Sequence, residues 1–326
     1  MNNYANIVTY LKNDKRRKSS LINQNIHASK YGQYKECKTA RPIKCFGMRD
    51  FNAGPINSVC EVQVFNAHSI DVASNYCAHG FNAGYINFLN PCCVCVVGRE
   101  FCASNYPASE GIRDDIFNLR TNLNATTDFV NPYPIKDNES VYNPFLTVIR
   151  NINMDPLNYQ SIFKFGLIVS SPINKPVLLS DDKMSSTDFL HTLENIKTIF
   201  QTAINAKHNV LILPPYGHVE DDVPQEDIIK IYNSCIFEYG HKFKIIAIAI
   251  PPWDGKNLYE LYNNGIVRPQ MLVKKIDDKY DKEKYIQMVK KNNNPKEVKK
   301  EVSNKDEQMN KMFQMFMSMM NNQQKG

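Results

Sequence analysis

The sequence predicts an α/β fold, a three-layer α/β/α domain built on a mostly parallel sheet. Strand and helix signals alternate along the middle of the chain, which is the pattern of such domains. The most apolar segment, residues 245–250, is typical of a strand that is buried on both faces. The 326 residues, with 43% hydrophobic and 22% charged, can form a sizeable core and exclude a mainly disordered or fibrous protein.

Each element is predicted from its own local pattern. Alternating or continuous apolar runs predict strands at residues 59–65, 85–89, 145–149, 165–169, 210–213 and 245–250. Capping residues and helical spacing of apolar residues predict helices at 69–80, 112–123, 185–200 and 224–239. Ser69 is the expected N-cap of the first helix, residues 185–188 begin the third, and Pro224 suits a first helical turn.

The two ends of the chain are basic and the middle is acidic. Residues 1–50 carry 11 Lys and Arg against 3 Asp and Glu, while residues 269–326 carry 13 against 8. We therefore predict a basic N-terminal arm with accessory helices at 1–54, a body at 55–268, and a charged linker with a Met-rich tail at 269–326. The basic termini are candidates for binding nucleic acid, although solvated termini often look the same. The Met-rich tail suits either a protein partner or a helix folded back on the body.

Composition also indicates where the protein works. No apolar run reaches the roughly 18 residues of a membrane-spanning helix, and no signal-peptide pattern follows Met1, so we expect an intracellular protein without membrane partners. The abundance of Asn and Ile suggests AT-rich coding DNA, as in a large DNA virus or an AT-rich microbe. We therefore expect the protein in the cytoplasm or nucleus of a host cell, or in a virion.

A group of cysteines raises the question of a metal site. Cys92, Cys93, Cys95 and Cys102 lie close in sequence, with Cys77 and His79 nearby. Their spacing does not match the paired Cys-x2–4-Cys pattern of zinc sites, so we predict neither a metal nor another cofactor. Reduced thiols buried in a strand-like Cys-Val-Cys-Val-Val segment explain this group better.

Loops that follow predicted strands should hold any ligand site. One follows the strand at 85–89, a second contains Asp114 and Asp115 at the start of a helix, and a third runs from Pro214 to His218. The two aspartates could act as an acid/base pair or as a negative first-turn cap. Tyr216 could stack on a base or be structural, and His218 could be a base or a loop residue.

Three stretches in this order and setting resemble one family. Residues 62–73, 85–91 and 210–217, followed by the strand at 245–250, resemble the microbial-type poly(ADP-ribose) glycohydrolases, a branch of the macrodomain fold. The resemblance spans about Val59 to Asn263. It implies a macrodomain-like body that binds ADP-ribose or an ADP-ribosylated protein. The implied ligand-binding residues are Asn87, Asn90, Cys92, Cys93, Val94, Tyr216, Gly217 and His218.

The sequence departs from this family at each functional motif. Cys92-Cys93-Val94 replace three glycines whose backbone amides approach a diphosphate, and side chains there impede that approach. Asp114-Asp115 replace two glutamates, the second of which is the catalytic acid of the family. The second phosphate loop keeps only Tyr216-Gly217 before His218. We therefore predict a weak or inactive glycohydrolase, a pseudoenzyme, or alternatively a structural or interaction protein that keeps only the fold.

Overall fold

A computed structural model describes most of the first 270 residues. The described residues are 14–37, 42–54, 60–77, 93–98, 112–125, 135–173, 175–180, 182–217, 222–254 and 256–270. Contacts divide the chain into two units, Met1–Gln270 and Met271–Gly326, and every described residue belongs to the first. The predicted strand at 85–89 and the Met-rich tail lie outside the described residues.

The described part contains seven strands and six α-helices. The strands are β1 (Ile43–Phe46), β2 (Glu61–Phe65), β3 (Cys93–Gly98), β4 (Glu139–Val148), β5 (Phe163–Ser170), β6 (Val210–Leu213) and β7 (Ile245–Ala249). The helices are α1 (Lys15–Lys30), α2 (Ser69–Ser74), α3 (Ile112–Arg120), α4 (Ser186–Asn205), α5 (Gln225–Tyr239) and α6 (Lys256–Gly265).

All seven strands form one sheet in the order β1-β4-β5-β3-β6-β7-β2. The five strands from β5 to β2 are parallel to one another, and β4 pairs antiparallel with both β5 and β1. The predicted mostly parallel sheet is therefore confirmed. The strand predicted at 245–250 is β7, which lies between β6 and β2, and its residues from Ile246 onward are buried.

Helices cover both faces of this sheet, as the three-layer prediction requires. Alternate residues of β6 show the two layers: Leu211 packs with α4 and α5, whereas Ile212 packs with α2 and α3. Leu211 and Ile212 are both completely buried. Burial on both faces explains why β6 and β7 are continuous apolar runs rather than alternating ones.

The N-terminal segment that we predicted as an arm contributes two elements to this unit. β1 pairs with β4 at the sheet edge, and α1 packs Leu21 and Ile22 against Leu119 of α3. The basic composition of the segment did not predict this packing, because the apolar residues that make the contacts occupy only one side of α1.

A buried polar network fastens α1 to the body. Arg150 donates from Nε to Asn25 Oδ1 at 2.6 Å and from Nη1 to the Met154 carbonyl at 2.6 Å. Asn25 in turn donates to the Leu119 carbonyl at 2.8 Å. Burial lowers the pKa of Arg150, which shows the cost of removing this guanidinium from water. Its hydrogen bonds offset that cost, so the network is sensitive to the loss of any partner.

Asn25→Ala should destabilise the protein by about 2–3 kcal/mol, because it leaves the buried Arg150 Nε and the Leu119 carbonyl short of partners. Asn23→Ala on the exposed side of the same helix is the matched control, with an expected change within about 0.5 kcal/mol. Urea unfolding monitored by circular dichroism measures both. Equal stability of the two variants would show that the network does not anchor α1.

Candidate functional site

The carboxyl ends of the five parallel strands meet at one edge of the sheet. The chain leaves β3 towards α3 on one face of the sheet, and it leaves β6 towards α5 on the other face. Adjacent parallel strands whose connections diverge in this way open a crevice between them, where α/β proteins bind ligands. We refer to the space at the carboxyl ends of β3 and β6 as the β3–β6 crevice.

The turn after β6 is held from its buried side by three side chains. Tyr232 donates its hydroxyl to the Pro214 carbonyl at 2.7 Å, and Gln225 donates from Nε2 to the Tyr216 carbonyl at 3.2 Å. The same Gln225 nitrogen reaches the Val223 carbonyl at 2.7 Å, so it joins both ends of the loop. Tyr262 donates to Gln225 Oε1 at 2.7 Å and fixes the orientation of that amide.

This anchoring determines which way one backbone amide points. The N–H of Gly217 belongs to the same planar peptide as the Tyr216 carbonyl, and in a trans peptide the two point in opposite directions. Because the Tyr216 carbonyl points towards Gln225, the Gly217 N–H points away from Gln225. A backbone donor directed in this way suits an anionic ligand oxygen.

Gly217 is also required by the backbone itself. Its φ angle is +65°, a conformation that side chains disfavour. A Cβ atom there would lie 2.6 Å from Val223 Cγ2 and 3.2 Å from Pro172 Cβ. The glycine therefore has a structural reason to be present, independent of any ligand.

Tyr216 lies in the core rather than in the crevice. Its side chain is 0% exposed, and its hydroxyl is 2.8 Å from Ser170 Oγ at the end of β5. A completely buried ring has no face available for a nucleotide base, so the stacking role considered for Tyr216 is not compatible with this position. The residue instead joins the loop after β6 to the end of β5.

Cys93 and Val94 do not lie in a loop, which corrects the predicted position of the phosphate cradle. Both begin β3, where Cys93 pairs with Val210, and Val94 pairs with Gly166 and Leu211. Val94 is paired on both edges and Cys93 on one, so both belong to the sheet ladder and not to a ligand-binding loop. At about 3.3 Å per residue, Cys93 is about 16 Å from the carboxyl end of β3 at Gly98.

The strand interpretation of the Cys-Val repeat is confirmed by β3. Cys95 is a free, completely buried cysteine, and burial raises the pKa of its thiol well above the usual value. Burial likewise raises the pKa of Cys37 and of Cys60 to about 11, so these thiols stay protonated and unreactive near neutral pH. Within the described ranges, no group of three or more His, Cys, Asp or Glu side chains is placed to hold a metal.

Of the other predicted site residues, two lie in the described part of the chain and four lie outside it. Asp114 and Asp115 lie in the first turn of α3, whose start faces the carboxyl edge because the helix follows β3. Their roles as acid or as helix cap stay predictions. Four predicted ligand residues lie outside the described part of the chain: Asn87, Asn90, Cys92 and His218. The segment that follows β3 is residues 99–111, and it also lies outside the described part.

Two features of α2 and α3 were missed in the sequence. His68, not Ser69, caps α2: its Nδ1 accepts a hydrogen bond from the Ile70 N–H at 3.2 Å. Asp71 and Arg120 form an ion pair at 2.8 Å that joins α2 to α3. Histidine is an uncommon cap, and a pair separated by 49 positions leaves no local pattern, so neither feature was predictable.

Comparison with solved structures identifies the fold. The structure matches a poly(ADP-ribose) glycohydrolase from Thermomonospora curvata with a TM-score of 0.60 and 8% identity, covering 77% of this chain and 99% of that one. It also matches the Deinococcus radiodurans enzyme in complex with ADP-ribose, with a TM-score of 0.51 and 9% identity, covering 65% and 86% respectively. The chain has the poly(ADP-ribose) glycohydrolase fold. The resemblance seen in the sequence is thus confirmed as a resemblance of fold.

The two comparisons made with the sequence found no relative. No protein-family model matches the sequence, and no curated protein matches it. No helix in the described ranges is long and apolar enough to cross a bilayer.

Gly217→Ala should lower the free energy of unfolding by about 2–4 kcal/mol, from the left-handed backbone and from the contact with Val223. Gly54→Ala is the matched control, because Gly54 also has a positive φ, +75°, but its added Cβ would meet only the flexible Lys242 Nζ, at 3.2 Å. Gly54→Ala should cost about 1–2 kcal/mol. Denaturant unfolding measures both, and equal losses would mean that Val223 and Pro172 do not crowd a side chain at position 217.

Proposed function

We propose that this protein binds ADP-ribose, or the ADP-ribosyl group of a modified protein, in the β3–β6 crevice, and that it is a weak or inactive glycohydrolase. The observation that carries the proposal is the turn after β6 at the carboxyl edge, whose anchored peptide directs the Gly217 N–H away from Gln225. The glycohydrolase fold supports the choice of ligand, since a structure with the same fold was solved with ADP-ribose.

The turn after β6 is expected to hold a diphosphate less well than a glycine-rich loop. Only Gly217 supplies a glycine amide there, and Glu220, Asp221 and Asp222 follow closely in sequence. Carboxylates close to a diphosphate repel it, and each charge-assisted hydrogen bond that is not made forfeits about 1.5–3 kcal/mol. Weak binding follows from both effects.

Catalysis is expected to be weaker still. The carboxylates nearest in sequence to the expected acid are Asp114 and Asp115, and Asp is one methylene shorter than Glu. A displacement of about 1 Å at the reacting group can reduce a rate about 100-fold. Because residues 99–111 follow β3, the carboxylates of Glu100 and Glu110 also come from the segment that leads into α3, and a test must include them.

The alternative function is an interaction protein that keeps the fold without ligand chemistry. A virion or nuclear location and a protein partner for the Met-rich tail stay predictions. Absence of ADP-ribose binding would favour this alternative.

Titration calorimetry with ADP-ribose should give a dissociation constant of ~100 µM or weaker, since two missing charge-assisted hydrogen bonds cost a factor of about 100 or more. Adenosine should bind at least about tenfold more weakly, because it lacks the diphosphate. Gly217→Ala should abolish binding, whereas the folded control Gly54→Ala should bind as the parent does. No heat with ADP-ribose at millimolar concentration, or equal binding of adenosine, would contradict the proposal.

Release of ADP-ribose from poly(ADP-ribose) should be undetectable or very slow, and any residual rate should fall further in Asp115→Asn than in Asp114→Asn. Glu110→Gln and Glu100→Gln test the carboxylates that precede α3. Chromatographic detection of ADP-ribose measures turnover. Efficient turnover that one of these four substitutions abolishes would show that the protein is an active glycohydrolase.

A further inference from the structure

One side of α1 carries a continuous polar stripe that the proposed function does not use. It lines an open groove of about 760 Å³ formed by Arg16, Ser19, Ser20, Asn23, Gln24 and His27. These residues recur at helical spacing, so they share one face of the helix. Each has a side chain that can donate a hydrogen bond, and none is acidic or aliphatic.

The helix that carries this stripe is firmly attached to the body. Its opposite side buries Leu21 and Ile22, and Asn25 is part of the Arg150 network. The groove is therefore presented on a rigid support. From Arg16 to His27 it extends about 16 Å along the helix axis, the length of about five stacked nucleotides of one strand.

The charge around the groove favours an anionic ligand. Arg16 and Arg17 are both exposed, and the first 50 residues carry 11 basic against 3 acidic residues. The Asp14 carboxylate accepts a hydrogen bond from the Arg17 backbone N–H at 2.9 Å as the cap of α1. The exposed stripe itself contains no carboxylate that would repel phosphates.

An exposed aromatic side chain stands at the end of the stripe. Tyr31 is 75% exposed, and its ring centroid is 5.8 Å from that of His27, one helical turn earlier. Proteins that bind single strands combine a positively charged groove for the backbone with aromatic rings on which bases stack. The α1 stripe and Tyr31 provide both parts side by side.

We propose that the exposed face of α1, from Arg16 to Tyr31, binds single-stranded nucleic acid. Phosphates lie along the groove, where Arg16 neutralises charge and the hydroxyl and amide groups donate hydrogen bonds. An unpaired base stacks on Tyr31, which a base within a duplex could not do without leaving its stack. The inference rests on a different face of the protein from the β3–β6 crevice and does not depend on ADP-ribose binding.

The test is fluorescence anisotropy of the 326-residue chain with a labelled 15-nucleotide oligo(dT) and a blunt 15-base-pair duplex. Tyr31→Ala should weaken binding of the single strand about tenfold, as expected for the loss of one stacked base, while Tyr31→Phe should keep it. Phe237→Ala is the matched control, because Phe237 is 64% exposed on α5, and it should leave binding unchanged.

The electrostatic part is tested by salt dependence. Arg16→Ala should reduce the slope of log affinity against log salt by about 0.7, the value for one phosphate contact on a single strand. Lys244→Ala removes one exposed positive charge at the start of β7 and should leave the slope unchanged.

Several results would overturn the proposal. Full binding by both Tyr31→Ala and Arg16→Ala would show that the basic termini bind the strand without α1. Equal affinity for the duplex would exclude base stacking. If poly(ADP-ribose) bound this face and the oligonucleotide did not, the stripe would be a polymer subsite and not a nucleic-acid site. None of these outcomes depends on the calorimetric result for free ADP-ribose.

Discussion

The pairing of β3 along both of its edges is the constraint on which the rest of the structure depends. β3 is parallel to β5 on one side and to β6 on the other, so its carboxyl end lies at the same edge of the sheet as theirs. It leaves towards α3, whereas β6 leaves towards α5 on the opposite face. The crevice, the start of α3 and the turn after β6 are therefore brought together by topology, before any functional side chain is considered.

Polar side chains fix the positions of the elements around this sheet. Gln225 and Tyr262 orient the turn after β6, the Asp71–Arg120 ion pair joins α2 to α3, and Arg150 holds the N-terminal helix. Polar groups of this kind do more to specify an arrangement than to stabilise it, because removing one partner leaves another unsatisfied.

The sequence predicted the elements whose patterns are local and unambiguous. β6 was predicted with its observed bounds, since a run of four apolar residues ends at two prolines, and α5 begins one residue after Pro224. β4 was predicted too short, as Glu139–Val148 contains Pro144 in its middle. The register shifts between Asn143 and Leu146, and this irregularity accommodates the proline.

The candidate site was less predictable because its residues depend on long-range pairing. The family resemblance put the phosphate cradle at Cys92–Val94, but the ladder with β5 and β6 places Cys93 and Val94 at the far end of a strand. The anchors of the β6 turn were equally hidden, since Gln225 and Tyr262 are 37 positions apart. The ligand role of Gly217 stays a prediction, and the structure adds a conformational reason for a glycine there.

The claim that the Gly217 amide faces a ligand in the β3–β6 crevice can be measured directly. The chain has 13 glycines, so a ¹⁵N-glycine-labelled sample gives a sparse amide spectrum in which the Gly217→Ala variant identifies one signal. On titration with ADP-ribose, that signal should shift progressively and more than the signal of Gly54. A Gly217 signal that stays in place while other glycines shift would contradict the account and would place the ligand elsewhere on the protein.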